Sequence, residues 1–205
     1  MFIGIVDYGM GNLVSVRNAL EAVGANVRVL ECGDGVADVG AIVVPGVGAF
    51  ARGMEGLRER GFVDALERDV RERQKPFLGI CLGLQLLATR GTELGDHAGL
   101  GWVPGIVQRL TVPAELRVPH VGWNEVEGAS PLLEGIPARA SFYFVHSYHF
   151  ACDDTSRIGA RTDHGGEFAS IIDDGNIHAV QFHPEKSHKH GLSLLRNWVA
   201  LANRA

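Results

Sequence analysis

Two short segments carry the residue types needed for nucleophilic chemistry. The first is Gly79-Ile80-Cys81-Leu82-Gly83, a single cysteine between two glycines, where an apolar run from Pro76 to Ile80 gives way to a helical pattern over Leu82 to Ala88. This is the cysteine form of a nucleophile elbow, a sharp strand-to-helix turn that pushes the reactive side chain out at the end of a sheet. Such a turn crowds the backbone on either side, so the flanking positions need residues without a Cβ. The helix that follows aims its free N–H groups at the sulfur. The same five residues also suit an inert core cysteine. The second segment is His183-Pro184-Glu185. If the chain leaves a strand still extended there, the side chains at i and i+2 point to one side. A carboxylate beside an imidazole fixes its tautomer and makes it a better proton acceptor. Pro184 biases His183 toward extended backbone. The competing readings are a surface His–Glu pair and a metal site drawn from His178, His183, His188 and His190. That run lacks the paired spacing and the thiolate or carboxylate complement of a metal centre, so none is expected.

These segments need elements to hold them. In the first half, Ile3 to Val6 reads as a buried strand and Leu13 to Val23 as a helix, with Leu13, Val16, Leu20 and Val23 on one face. Asn12 suits its N-cap and Gly24 its stop. Strands follow at Val27 to Leu30, at Ala41 to Val44 (ending in Pro45-Gly46-Val47-Gly48) and at Phe77 to Ile80, with an amphipathic helix over Phe62 to Arg73 between the last two. Alternating short strands and helices predict an α/β fold with a mixed, largely parallel central sheet flanked by helices, whose ligands lie beyond the carboxyl ends of the strands. Cys81, Pro45 to Gly48 and Asp7 to Asn12 all fall at such ends. The second half is richer in β: Gly105 to Leu110, Val118 to Val126, Ser141 to His149, Arg157 to Thr162, Phe168 to Ile172 and His178 to Phe182 read as strands, before a closing helix over Leu192 to Leu201. No linker divides the chain, so residues 1–205 are expected to form one domain.

Composition narrows the function classes. The net charge is −5 and no Lys/Arg run exceeds a pair, which argues against nucleic acid as a partner. No apolar stretch approaches membrane-spanning length, and Met1 leads directly into a strand pattern instead of a signal peptide, so no membrane contact is expected. The three cysteines, Cys32, Cys81 and Cys152, are odd in number and widely spaced. That favours free thiols in a reducing cytoplasm over a disulfide framework.

Further blocks, in order along the chain, carry a resemblance. They are Asp7-Tyr8-Gly9-Met10-Gly11-Asn12-Leu13, Pro45-Gly46-Val47-Gly48-Ala49-Phe50, the elbow continued through Gly83-Leu84-Gln85-Leu86-Leu87, Pro119-His120-Val121-Gly122-Trp123-Asn124, Phe142-Tyr143-Phe144-Val145-His146-Ser147-Tyr148, and Gln181 to Ser187. With these blocks the chain resembles the glutaminase subunits of imidazole glycerol phosphate synthases, class I triad glutamine amidotransferases. The elbow and His-Pro-Glu mark the superfamily, and the Pro-Gly-Val-Gly, Pro-His-Val-Gly-Trp-Asn and Phe-Val-His-Ser-Tyr blocks the subfamily.

The resemblance implies that Cys81 attacks the carboxamide of L-glutamine, that His183 shuttles the proton and that Glu185 orients His183. It implies oxyanion donors at the N–H groups of Leu82 and Val47, the latter presented when a peptide between glycines turns over, which would let a partner switch the site. Glutamine recognition would fall to Gly48, Gln85, His146, Ser147 and Tyr148. The partner implied is a cyclase subunit with a (β/α)8 barrel, which uses the ammonia to form imidazole glycerol phosphate and an aminoimidazole carboxamide ribonucleotide in histidine biosynthesis. Asn12, Tyr143 and Lys186 match positions at that interface, and no cofactor is implied. The alternatives are a glutaminase serving another synthase and a catalytically silent module of the same fold.

Overall fold

The computed structural model describes residues 1–204. In chain order the strands are β1 (Phe2–Val6), β2 (Asn26–Leu30), β3 (Ala41–Gly46), β4 (Phe77–Cys81), β5 (Ala88–Gly91), β6 (His97–Ala98), β7 (Val103–Arg109), β8 (His120–Glu125), β9 (Glu127–Gly128), β10 (Ser141–His146), β11 (Tyr148–Cys152), β12 (Ile158–Asp163), β13 (Glu167–Asp174) and β14 (Ile177–Val180). The helices are α1 (Leu13–Ala22), α2 (Phe50–Glu59), α3 (Phe62–Leu66), α4 (Leu82–Gln85) and α5 (His188–Ala202).

Eight strands form the central sheet in the order β2-β1-β3-β4-β14-β13-β12-β9. The five from β2 to β14 are parallel, and β13, β12 and β9 continue antiparallel as a wing. The expectation of a largely parallel sheet with a β-rich second half holds. The parallel strands are apolar throughout because both their faces are covered. Alternate residues feed two cores: Ile3, Ile5, Val43, Leu78 and Ile80 face α1, α5 and β10, while Val6, Val44 and Phe77 face α2, α3 and a second sheet of order β11-β7-β5-β6. Strand β10 pairs with β8 as a separate antiparallel ribbon. Asn12 caps α1 as expected, its Oδ1 accepting the N–H of Ser15 at 3.2 Å.

Three expectations are corrected. The helix predicted from Phe62 to Arg73 is α-helical only to Leu66 and then widens to a π-helical segment over Glu67–Glu72. That segment buries the carboxylate of Asp69, which meets Lys75 Nζ and Arg68 at 2.9 Å and Arg73 at 3.2 Å. The helix predicted over Leu82 to Ala88 lasts one turn, because Ala88 already pairs with Val103 as the start of β5. The strand predicted from Ser141 to His149 breaks at Ser147, whose carbonyl accepts the N–H of Leu110, so that β10 and β11 join different sheets.

Asp69 yields a stability prediction. Burial raises its carboxyl pKa, but hydrogen bonds from Lys75, Arg68 and Arg73 outweigh this and hold it below the ordinary carboxylate value. A native value below the unfolded one adds stability that is complete above the unfolded carboxylate range, roughly pH 4, and is lost as pH falls through the lowered value. Asp69→Asn is therefore expected to cost about 2 kcal/mol at neutral pH, the scale of charged hydrogen bonds. Urea unfolding at pH 7 and pH 3 measures it, and the difference from the parent should shrink at the lower pH.

Candidate active site

Strand β4 delivers Cys81 into a backbone conformation of φ +54° and ψ −102°, which L-residues avoid, and α4 begins at the next residue. That is the strained geometry of a nucleophile elbow. The flanking glycines are required for the reason expected. A Cβ on Gly79 would meet the carbonyl carbon of Gly83 at 2.8 Å, and one on Gly83 would collide with the carbonyl of Val44. Gly83→Ala is accordingly expected to lower stability by about 3 kcal/mol, since only backbone movement relieves the clash. Chemical denaturation of the purified variant tests this.

His183 and Glu185 face each other, with His183 Nδ1 and Glu185 Oε1 2.8 Å apart and both side chains 3% exposed. They do not meet on an extended strand, as the spacing suggested. β14 ends at Val180, and Pro184–Lys186 forms a 3₁₀ turn that folds the carboxylate back onto the ring. Three hydrogen bonds fix the turn: the N–H of His183 donates to the Tyr143 carbonyl at 2.9 Å, and Ser187 Oγ donates to the His183 carbonyl at 2.6 Å while accepting the Tyr143 N–H at 3.0 Å. Tyr143 thus holds the imidazole's segment through its main chain.

Burial by itself would lower the pKa of His183. Interaction with Cys81 and the hydrogen bond to Glu185 outweigh it and raise the value to about 9. His183 Nε2 is buried and makes no hydrogen bond of good geometry, so the nitrogen that would exchange a proton with Cys81 is not committed elsewhere. The raised value is also a stability contribution, complete below the unfolded histidine value of roughly 6.5 and lost as pH rises through about 9.

Beside the sulfur lies a cavity of about 510 Å³ whose wall includes Val47, Gly48, Leu82, Gln85, His146, Ser147, Tyr148 and Lys186. Gly46 pairs with Cys81 in the β3–β4 register, which sets Val47 and Leu82 at adjacent strand ends. Gly46 must lack a side chain because a Cβ would strike the Tyr8 hydroxyl. Of the site residues expected from sequence, Cys81, Val47, Gly48, Leu82, Gln85, His146, Ser147, Tyr148 and Lys186 line this cavity. His183, Glu185 and Asn12 do not; with Val47 and Lys186 they border a neighbouring smaller one, and Tyr143 borders neither.

Glu93, Ser187 and the side chain of Gln181 also stand at the site, and no role was expected of them from sequence. Glu93 is in a loop with no apolar pattern to mark it, yet it lines the cavity and accepts the N–H of Phe50 at 2.8 Å, at the start of α2. The four histidines considered for a metal go to separate partners: His178 to Asp173, His183 to Glu185, His188 stacked on Trp123 and His190 toward the Ser141 carbonyl.

The family model for glutamine amidotransferase class-I matches residues 4–201. The chain belongs to the class-I glutamine amidotransferases. Among curated relatives of the family, imidazole glycerol phosphate synthase subunit HisH of Moorella thermoacetica is 47% identical over 205 residues, covering 99% of this chain and 96% of that one. The subunit of the same name from Aquifex aeolicus is 45% identical over 203 residues, covering 98% and 97%. Among solved structures, one described as a glutamine amidotransferase superposes with a TM-score of 0.75 at 23% identity, with 98% of both chains covered. PurLQS from Thermotoga maritima gives 0.76 at 17% identity with the same coverage. At those identities the structures bear on the fold alone.

Proposed function

We propose that this chain is the glutaminase subunit of an imidazole glycerol phosphate synthase, with residues 1–205 acting as one glutaminase domain. The observation that carries the chemistry is a strained Cys81 at the wall of a cavity of about 510 Å³, beside a buried His183–Glu185 pair. Cys81 Sγ attacks the side-chain carboxamide carbon of L-glutamine, and its proton passes to His183 Nε2. The C–O double bond opens to an oxyanion at the backbone N–H groups of Leu82 and Val47. As the tetrahedral intermediate collapses, the C–N bond breaks and His183 returns the proton to the departing nitrogen as ammonia. Water, deprotonated by His183, then cleaves the thioester to L-glutamate and restores the thiol. Gly48, Gln85, His146, Ser147 and Tyr148 hold the substrate.

The relatives' name supports delivery of the ammonia to a cyclase subunit, read here as a (β/α)8 barrel in a cytoplasmic heterodimer serving histidine biosynthesis. Exposed apolar side chains around the site favour a docked partner. Val47 is 40% exposed, Trp123 49% and Val121 56%, and Trp123 stacks on His188, two residues beyond Lys186. Asn12, Tyr143 and Lys186 belong to the same proposed interface. Among the described residues, no helix is long and apolar enough to cross a membrane. The test is glutamate release by the purified chain, alone and with a candidate cyclase and its ribonucleotide substrate. Slow hydrolysis alone and strong stimulation in the complex are expected. Absence of hydrolysis in both would overturn the reading.

A further inference from the structure

The amide of Gln181 is wholly buried, lies two residues before His183 and has no part in the proton shuttle described above. Its Nε2 points at Cys81 Sγ, 3.7 Å away, and its Oε1 accepts from Gln85 Nε2 at 3.1 Å. Gln85 Nε2 also donates to the Tyr148 carbonyl at 2.9 Å. A carbonyl oxygen can only accept. The Tyr148 carbonyl therefore fixes which end of Gln85 is nitrogen, and Gln85 in turn fixes Gln181 with its N–H groups toward the sulfur.

The same carbonyl also receives His146 Nδ1 at 2.9 Å, which makes that nitrogen the donor. His146 Nε2 faces His120 Nδ1 at 3.0 Å, and His120 Nε2 faces Asn124 Nδ2 at 3.2 Å. The far end is set independently: Asn124 Nδ2 donates to the Asp163 carbonyl at 2.8 Å, and its Oδ1 accepts the N–H of Glu125 at 2.8 Å. Read from either end, the line closes without two donors meeting only if both imidazoles are neutral and carry their proton on Nδ1. Their surroundings agree. Burial lowers His146 to about 3, and burial together with the charge of His164 lowers His120 to about 4. The line thus runs without a gap from the outer ribbon β8 to the nucleophile.

We propose that Gln181 is a positioning residue for Cys81, its amide aimed at the sulfur by Gln85 and the Tyr148 carbonyl and braced by the line through His146, His120 and Asn124. The inference rests on Cys81 being the nucleophile. An N–H directed at Sγ favours its charged, attacking form and holds one rotamer, and it does not touch the substrate.

Gln181→Met keeps the side chain's length and removes the donor. With the synthase complex assembled, kcat for glutamine is expected to fall about 10- to 100-fold, the range for one hydrogen bond to a charged group, with KM within about threefold. Alkylation of Cys81 by iodoacetamide at pH 7, followed by mass spectrometry of its peptide, should slow by a similar factor. Long-range ¹H–¹⁵N spectra of the unaltered chain should show His120 and His146 neutral, with protons on Nδ1. Asn124→Asp, a near-isosteric change at a half-buried edge, should move the His120 proton to Nε2 and lower kcat. A folded Gln181→Met variant with unchanged kcat and alkylation overturns the proposal. So does an Nε2–H or charged form of either imidazole in the unaltered chain, a measurement that stands even if Gln181→Met does not fold. Cys81→Ala run in parallel separates the two levels: hydrolysis that survives it overturns the nucleophile assignment, whereas a silent Gln181→Met beside an inactive Cys81→Ala overturns only the positioning role.

Discussion

Replacing Cys81 by alanine is expected to abolish glutamine hydrolysis, lowering kcat by at least about 10⁴-fold while the protein still folds. The loss is so large because no second thiol among the described residues lines the cavity. Water would have to attack an unactivated carboxamide, with only the oxyanion donors and the binding cavity left to help. The structural cost should be small, since the change deletes one sulfur atom that already borders a cavity. It also leaves the strained φ in place, because alanine keeps a Cβ. Glutamate release in a coupled assay, beside a circular dichroism melt, measures both halves of the expectation. A folded variant that still releases glutamate at the parental rate removes nucleophilic catalysis at Cys81.

Glu185→Gln is expected to lower kcat by about 10²- to 10⁴-fold with little change in KM. The amide is nearly isosteric and can still reach His183 Nδ1, so the geometry survives. What disappears is the negative charge, and with it part of what raises His183 to about 9 against the opposing effect of burial. The sign follows directly: losing a stabiliser of the imidazolium lowers the His183 pKa, so the ring becomes a weaker base toward the Cys81 thiol and toward the water that cleaves the thioester. An amide that turns its N–H toward Nδ1 also favours the wrong tautomer. Titration of the His183 ring protons by NMR should give a midpoint below that of the parent, and a midpoint that stays put with unchanged kcat would remove the orienting role. Glu185 is not free to be replaced by solvent. Its side chain is 3% exposed, and its second oxygen is buried without a hydrogen-bond partner, so the ion pair with His183 is its one strong interaction.

The two predictions depend on different kinds of information. The elbow could be read from five residues because its requirement is local. Gly79 and Gly83 are glycines on account of backbone that passes within contact distance of them, and a pattern of glycine, cysteine and glycine after an apolar strand states that constraint outright. The His-Pro-Glu pair was also legible, although its mechanism was not. Two residues of spacing fit both an extended strand and a 3₁₀ turn, and hydrogen bonds from distant Tyr143 and from Ser187 chose the turn.

Periodicity misjudged the chain wherever a distant partner overruled local preference. Leu82 to Ala88 repeats like a helix, but pairing of Ala88 with Val103 draws the chain off after one turn. Phe142 to His149 alternates like a single strand. The Leu110 N–H captures the carbonyl of Ser147 and parts it into two strands, and the break supplies the cavity wall at Ser147 and Tyr148. Glu93 carried no signal, and Gln181 stood in a matching block with no role for its side chain, because a polar side chain in a loop or after a strand looks solvated until the structure shows what surrounds it.

What the sequence determined alone is the set of reacting groups and the parallel strands that end beside them, since strand alternation and glycine placement are short-range rules. Only the tertiary structure decided which carbonyl each buried amide and imidazole answers to. A hydrogen bond depends on direction and on the partner's identity, and those partners lie up to about a hundred residues apart, as Gln85 and Gln181 do.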